Sequence, residues 1–329
     1  MNRERTLALI AFAIVCVVWG TTYLGIAIAI ETIPPLALTS IRFVIAGAIM
    51  TAIAMLRGEK IPRDPRTLGN LAIVGLLMVG VGNLAVVWAE EWVPSGLAAL
   101  FVATAPFWMV VIEAFRTHGE RAGLRSGLGM LIGFVGVALL VTPGGAGPAW
   151  NFNFIAGAIA IQIGSMAWQL GSVRGKYYLS HVPLLASAAL QMLFGGLIVG
   201  VVSIAIGEPA RFALNPRTFA ALAYLTIFGS VIAYSAYVYA LAHMRTTKSS
   251  LYAYVNPVVA VILGWLILDE ALTPLSILAM IVILGGVALV QTAPERAGKK
   301  QPATVQPAVS TTPETPADLS GSGASAARS

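Results

Sequence analysis

The stretch WGTTYLGIAIAIETIPPLALTSIRF (19–43) has a counterpart 149 residues further on, WQLGSVRGKYYLSHVPLLASAALQ (168–191). At that spacing Trp19 falls opposite Trp168, Pro34 opposite Pro183 and Arg42 opposite Gln191. The match continues with APFWMVVIEAF (105–115) and VNPVVAVILGW (255–265), which set Pro106 opposite Pro257. Glu120 then falls opposite Glu270, and GVAL at 136–139 recurs at 286–289. The spacing drifts only from 149 to 151 and back to 150, so small insertions and deletions account for it. Self-similarity on this scale means one structural unit used twice.

Both copies are strongly apolar. Of 329 residues, 58% are hydrophobic and 10% charged, and the mean hydropathy is +0.84. A soluble domain cannot hide that much apolar surface, and long runs with few charges mark membrane spans. Such runs fall at 6–29, 35–56, 68–90, 96–116, 126–142, 153–173, 183–206, 217–241, 249–268 and 275–292. The reading is an all-α integral membrane protein of ten transmembrane helices. Arg3 and Arg5 precede an apolar stretch, Leu7 to Ile30, that is longer than a signal-peptide core and carries Trp19 and Tyr23, so it reads as a retained first helix.

Charge tests this map. With the N-terminus in the cytoplasm, 17 of the 20 Lys and Arg residues fall on the cytoplasmic side, the outer loops keep Arg211 and Arg217, and Arg42 lies within a span. That is the asymmetry expected of loops that set orientation, and it accounts for the net charge of +6 without a nucleic-acid partner. Five spans per copy is an odd number, so the copies enter the bilayer in opposite directions. The expected architecture is two inverted five-helix repeats, 6–142 and 153–292, with both termini cytoplasmic. From 293 to 329 the chain turns to Ala, Pro, Ser, Thr and Gly and is expected to be a disordered cytoplasmic tail. Inverted repeats suit alternating access around a site near the midplane.

Trp19-Gly20, Arg42-Phe43, Pro106 with Glu120, and Pro257 with Glu270 before a glycine-bearing last helix together resemble the drug/metabolite transporter superfamily, in particular ten-helix exporters built of two EamA domains. The likeness covers roughly 6–292. It implies a bacterial inner-membrane exporter of small metabolites or drugs, amino acids among them, with a cavity formed by helices one, three, four, six, eight and nine. The second copy departs from the pattern, with Gln169 after Trp168 and Gln191 in place of the arginine. An importer or facilitator of the same fold, and a membrane receptor or scaffold, are the alternatives.

Arg42 is the basic residue well inside a span, where charge is costly and usually functional. It fits either an anionic ligand group such as a carboxylate, or a structural role paired to a neighbouring helix or snorkelling to the interface. Pro106 and Pro257 break two helices at matching positions, and Thr104 and Asn256 place polar atoms beside the breaks. Trp19, Asn83, Trp168, Gln169, Tyr234, Tyr237 and Tyr252 complete a set of aromatic and amide residues suited to planar or amphipathic solutes, or to helix packing. Glu113 and Glu90 are candidate coupling carboxylates, although their places near the span ends also fit solvated loop or gate residues. A GxxxxGK[ST] loop, HExxH spacing and an intramembrane nucleophile–base pair are absent from the sequence, which argues against an ATP-driven pump, a metal site and an enzyme. One cysteine, Cys16, excludes an intrachain disulfide. No cofactor is expected. The expected partners are a small-molecule substrate and the lipid bilayer, with the protein a monomer or homodimer. Small-residue pairs Gly129/Gly133 and Gly196/Gly200 are read as helix packing within the chain.

Overall fold

The computed structural model describes residues 3–116, 123–141, 151–250, 252–269 and 272–291. The tail, Glu120, Glu270 and His118 lie outside the described residues. Among those described there is no strand; the chain runs through α1 (Arg3–Ala29), α2 (Pro35–Leu56), α3 (Pro65–Ala89), α4 (Ser95–Phe115), α5 (Leu124–Val141), α6 (Phe152–Tyr178), α7 (Leu184–Ala205), α8 (Pro216–His243), α9 (Thr246–Leu268) and α10 (Pro274–Gln291). Eight of these, α1–α4 and α6–α9, are long and apolar enough to cross a membrane. The helices α5 and α10 have 18 residues each, about 27 Å at 1.5 Å per residue.

The helix starts follow local chemistry. Proline occupies the first turn of α2, α3 and α8, where its missing N–H costs nothing. The Asp64 carboxylate accepts from the Thr67 amide at 2.8 Å and opens α3. Asn215 and Thr218 form a reciprocal capping box that opens α8. These caps sit in matching tetrapeptides, DPRT (64–67) and NPRT (215–218). Each of the two helices then loosens into a π-helical segment, Leu76–Asn83 in α3 and Leu225–Ile232 in α8, again 149 residues apart. A π segment adds a residue to the turn and redirects the helix beyond it.

Helices α2 and α7 form the spine. A Cβ at Gly47 would stand 2.7 Å from the Leu193 amide nitrogen, and one at Gly196 would stand 2.9 Å from the Val44 nitrogen. The two backbones therefore touch, and only glycine fits at either crossing point. Gly136 and Gly286 do the same for α5 and α10: Cβ atoms there would meet the backbones at Ile283 and Gly133. The small-residue pairs thus pack within the chain.

Polar contacts tie the two halves together at both ends. Where α1 finishes, the first end, the buried Glu208 carboxylate accepts from the amides of Ala37 at 2.8 Å and Leu36 at 3.4 Å, satisfying the start of α2. Thr32 donates to the Ala213 carbonyl at 2.8 Å beside it. At the second end, Glu59 accepts from the Ala186 amide at 3.0 Å at the start of α7. Glu59 and Glu208 are 149 residues apart, as are Ala37 and Ala186. Each half thus caps a helix of the other, and neither α2 nor α7 has a side-chain cap of its own.

Replacing Gly47 with Leu should abolish the α2–α7 contact, at more than the 1–3 kcal/mol typical of overpacking (about that range for a yielding core). Gly69→Ala, where a Cβ meets nothing within 4 Å, should leave the thermal melting point in detergent unchanged or raise it slightly.

Candidate functional site

A cavity, about 630 Å³ of unfilled space with its opening to solvent included, lies where α1, α2, α3, α4, α6, α8 and α9 converge. The π segments and the α4 break border it, which ties its position to the irregular backbone. Gly82 and Gly229 lie within those segments and line the cavity. Their lack of side chains leaves room for the large groups opposite: a Cβ at Gly82 would meet Trp168 at 3.0 Å, and one at Gly229 would meet Arg42 Nη2 at 2.8 Å.

The floor of the cavity is aromatic. Trp19 packs against Tyr252, Tyr237 and Trp168 with ring centroids 4.8, 5.1 and 5.4 Å apart, and Tyr237 also contacts Trp168 and Tyr252 at 5.7 and 5.4 Å. Trp19 to Trp168 and to Tyr252 are edge-to-face, the arrangement favoured by ring quadrupoles. Trp19 Nε1 donates to the Gly229 carbonyl at 2.9 Å, which fixes the indole against the α8 π segment. Tyr237 lies beneath the floor, toward the second end, with its hydroxyl 2.8 Å from Ser172 Oγ.

Arg42 forms part of the wall. Its side chain is 2% exposed, so it is turned into the protein and does not snorkel outward. Nε donates to Ser230 Oγ at 2.7 Å, and the guanidinium carbon stands 4.7 Å from the Phe43 ring centre. Nη1 is buried with no hydrogen-bond partner among the described residues, and the same holds for Ser165 Oγ and Asn83 Oδ1. Unmet donors and acceptors on one cavity wall are what a polar ligand group, or water in its place, would satisfy. Glu90, at the far end of α3, is buried and close enough for its charge to act on both Arg42 and Tyr23.

The expected pair of proline breaks is corrected: α4 is interrupted ahead of Pro106, whereas α9 runs unbroken through Pro257. In α4 the helix opens at Ala103 and Thr104 ahead of Pro106. There Gln162 of α6 accepts from Thr104 Oγ1 at 2.8 Å and from Trp108 Nε1 at 3.1 Å, and donates to the Phe101 carbonyl at 3.1 Å. In α9 Pro257 lies inside the continuous helical stretch Tyr252–Leu268, and the Asn256 side chain beside it, with its amide nitrogen turned toward them, reaches the carbonyls of Cys16 and Tyr252 at 3.0 Å each. The α4 break is thus bridged from the neighbouring helix, while Pro257 is carried within its helix.

Of the residues singled out from sequence, Trp19, Arg42, Asn83, Trp168, Gln169, Tyr234, Tyr252 and Asn256 line the cavity. Thr104 and Tyr237 do not: one bridges the α4 break and the other supports the floor. Tyr234 also donates to Gln191 Oε1 at 3.0 Å, so the glutamine opposite Arg42 in the repeat serves the wall from behind. Sequence reasoning missed Thr22, Tyr23 and Ser165 in the lining, and Gln162 beside it. A pattern of polar residues one turn from Trp19 and Trp168 was the available signal. The solvated reading of the carboxylates is corrected: Glu113 is fully buried at the second end, where Arg116 Nη1 donates to it at 2.8 Å and Thr246 Oγ1 at 3.2 Å, and Glu90 is 8% exposed. Among the described residues, no group of three or more His, Cys, Asp and Glu side chains is placed to hold a metal ion.

The EamA-like transporter family model matches residues 6–142 and 155–292. The inner membrane transporter YedA of Escherichia coli (strain K12) is 39% identical over 276 residues, 83% of this chain and 87% of that protein. The transporter YdfC of Bacillus subtilis (strain 168) is 25% identical over 289 residues, 87% of this chain and 92% of its own length. Protein PecM of Dickeya dadantii (strain 3937) is 26% identical over 283 residues, covering 85% and 91%. A protein of known crystal structure shares the fold with a TM-score of 0.67 at 22% identity, covering 86% of this chain and 95% of that one. With two family matches spanning nearly all of α1–α10 and relatives that are membrane transporters, the chain belongs to the EamA-like transporter family of the drug/metabolite transporter superfamily.

Proposed function

We propose that this transporter exports small amphipathic metabolites, amino acids or drugs, across a bacterial inner membrane by alternating access. In this reading all ten helices cross, the two halves are inverted five-helix repeats, both termini are cytoplasmic, and the substrate sits in the aromatic cavity. The observation that carries it is the cavity itself, an aromatic floor beside the open Nη1 of a buried arginine. Such a site offers ring faces to an apolar body and a guanidinium donor to a polar or anionic group. The reciprocal caps of Glu59 and Glu208 support the inverted arrangement, because they place the start of α2 beside the end of α7 and the reverse. An enzymatic role has no support from the transporter relatives or from the residues around the cavity.

Counterflow in proteoliposomes, with a panel of labelled amino acids and cationic and anionic drugs, tests this reading. Trp19→Ala, Trp168→Ala and Arg42→Ala should each lower flux at least tenfold while membrane insertion stays near wild type. Normal flux in all three variants would remove the substrate from this cavity. Orientation-sorted vesicles decide between export and import.

Coupling generates a second test. Glu90 is buried at the far end of α3, the end opposite the one where Glu113 is tied to Arg116 and Thr246. If flux responds to a pH gradient, Glu90→Gln should remove the response and Glu113→Gln should preserve it. Loss of the response in Glu113→Gln alone would reverse this assignment.

A further inference from the structure

A second opening, outside the central cavity, lies at the second end between α3, α4 and α6. It is a groove, about 1000 Å³ of unfilled space with open solvent included, whose rim carries Arg116, Arg174, Tyr177 and Tyr178 and whose inner walls include Leu77 and Leu170. The two arginines are held in place. Arg116 lies 3.6 Å over the Tyr177 ring and donates to Glu113 at 2.8 Å. Arg174 lies 5.0 Å from the Tyr178 ring and donates through Nη2 to Asn70 Oδ1 at 2.6 Å, while its buried Nε has no hydrogen-bond partner among the described residues.

The chemistry changes with depth. Leu170 lies seven residues before Tyr177 on α6, about 10 Å deeper at 1.5 Å per residue, and it is 44% exposed. A small soluble anion would use the rim and leave that apolar wall bare. A hydrocarbon chain covers it. Among the described residues, the rim sets two guanidinium groups against one carboxylate, Glu113, which is already shared with Thr246, so positive charge is in excess there. Tyrosines at the same level mark the membrane–water boundary, where lipid phosphates lie. Guanidinium groups pair with phosphate oxygens through parallel donors.

We propose that this groove is a binding site for one anionic phospholipid, its phosphate between Arg116 and Arg174 and an acyl chain against Leu77 and Leu170. The site joins α3 and α4 of the first half to α6 of the second, so a bound lipid bridges the halves at this end. Its occupancy does not depend on what the central cavity carries.

Native mass spectrometry of the full-length, delipidated protein tests the assignment, with phosphatidylglycerol and phosphatidylcholine of identical chains titrated separately. Wild type should retain one phosphatidylglycerol about tenfold more tightly than phosphatidylcholine, given the usual attraction of basic residues for anionic headgroups. Arg116→Gln/Arg174→Gln should bring the two lipids to equal, weak retention, and Arg116→Lys/Arg174→Lys should keep part of the preference. Leu170→Trp, which fills the groove and leaves the arginines intact, should weaken both lipids and keeps the test open if the double glutamine variant misfolds. Equal retention of both lipids by wild type, or unchanged phosphatidylglycerol retention in Leu170→Trp, would overturn the site. Competition by inorganic phosphate at concentrations comparable to phosphatidylglycerol would do the same, by showing a site for a small anion.

Discussion

The close crossing of α2 and α7 sets the geometry on which the rest depends. Gly47 and Gly196 let the two backbones touch, and they occupy equivalent positions in the two copies. In a low-dielectric setting the free amides at the start of each helix must find acceptors. Glu208 and Glu59 supply them, each from the opposite half. The same two helices are thus fixed at their middle by sterics and at both ends by hydrogen bonds, with a near two-fold relation between the halves. Arg42 lies on α2 between Gly47 and the end capped by Glu208, and Gln191 lies at the equivalent place on α7.

Around this spine the other helices bend. The π segments of α3 and α8 and the break of α4 ahead of Pro106 interrupt helices that would otherwise pack as smooth rods. Irregular backbone is tolerated at membrane depth only where protein or a lined cavity satisfies it. Gln162 satisfies the break in α4, and the Trp19 indole takes up the Gly229 carbonyl. The space left over is the central cavity, and its symmetry is broken at its wall. Arg42 on one side brings a charge held by Ser230 and Phe43, and Gln191 on the other turns its amide to Tyr234 and Ser187. Burying a guanidinium with one nitrogen unpartnered costs stability. In the proposed reading that cost is offset when a substrate group meets Nη1.

Much of this was legible in the sequence. Hydropathy placed every helix to within a few residues, even α5, expected at 126–142 and found at 124–141. The Trp19/Trp168 spacing exposed the repeat, and applying that spacing to every polar residue would also have found Glu59 with Glu208. The DPRT and NPRT tetrapeptides, 151 residues apart, were open to a search that allowed the two-residue drift between the copies. The π segments were not legible, because a one-residue widening of a helix leaves no compositional mark. Depth was the other gap. Tyr237 shares a helix face with Tyr234, yet one turn places it under the floor. Glu113 was read as solvated because it lies near a span end, but Arg116 and Thr246 enclose it. Contacts between helices distant in sequence decide burial, and spacing along one helix does not reveal them.

The central claim is that the two halves rock about the α2–α7 spine, opening one end as the other closes. Two spin-label pairs across the halves test it most directly, in a background where the native Cys16 is replaced by serine. One pair, at Arg66 and Ser180, spans the second end, and the other, at Glu31 and Leu214, spans the first; all four positions are exposed. Electron–electron distances in lipid nanodiscs, with and without a compound that drives counterflow, should shift in opposite senses, one pair lengthening as the other shortens. Distances that stay fixed in both pairs, or that lengthen together, would contradict the rocking account.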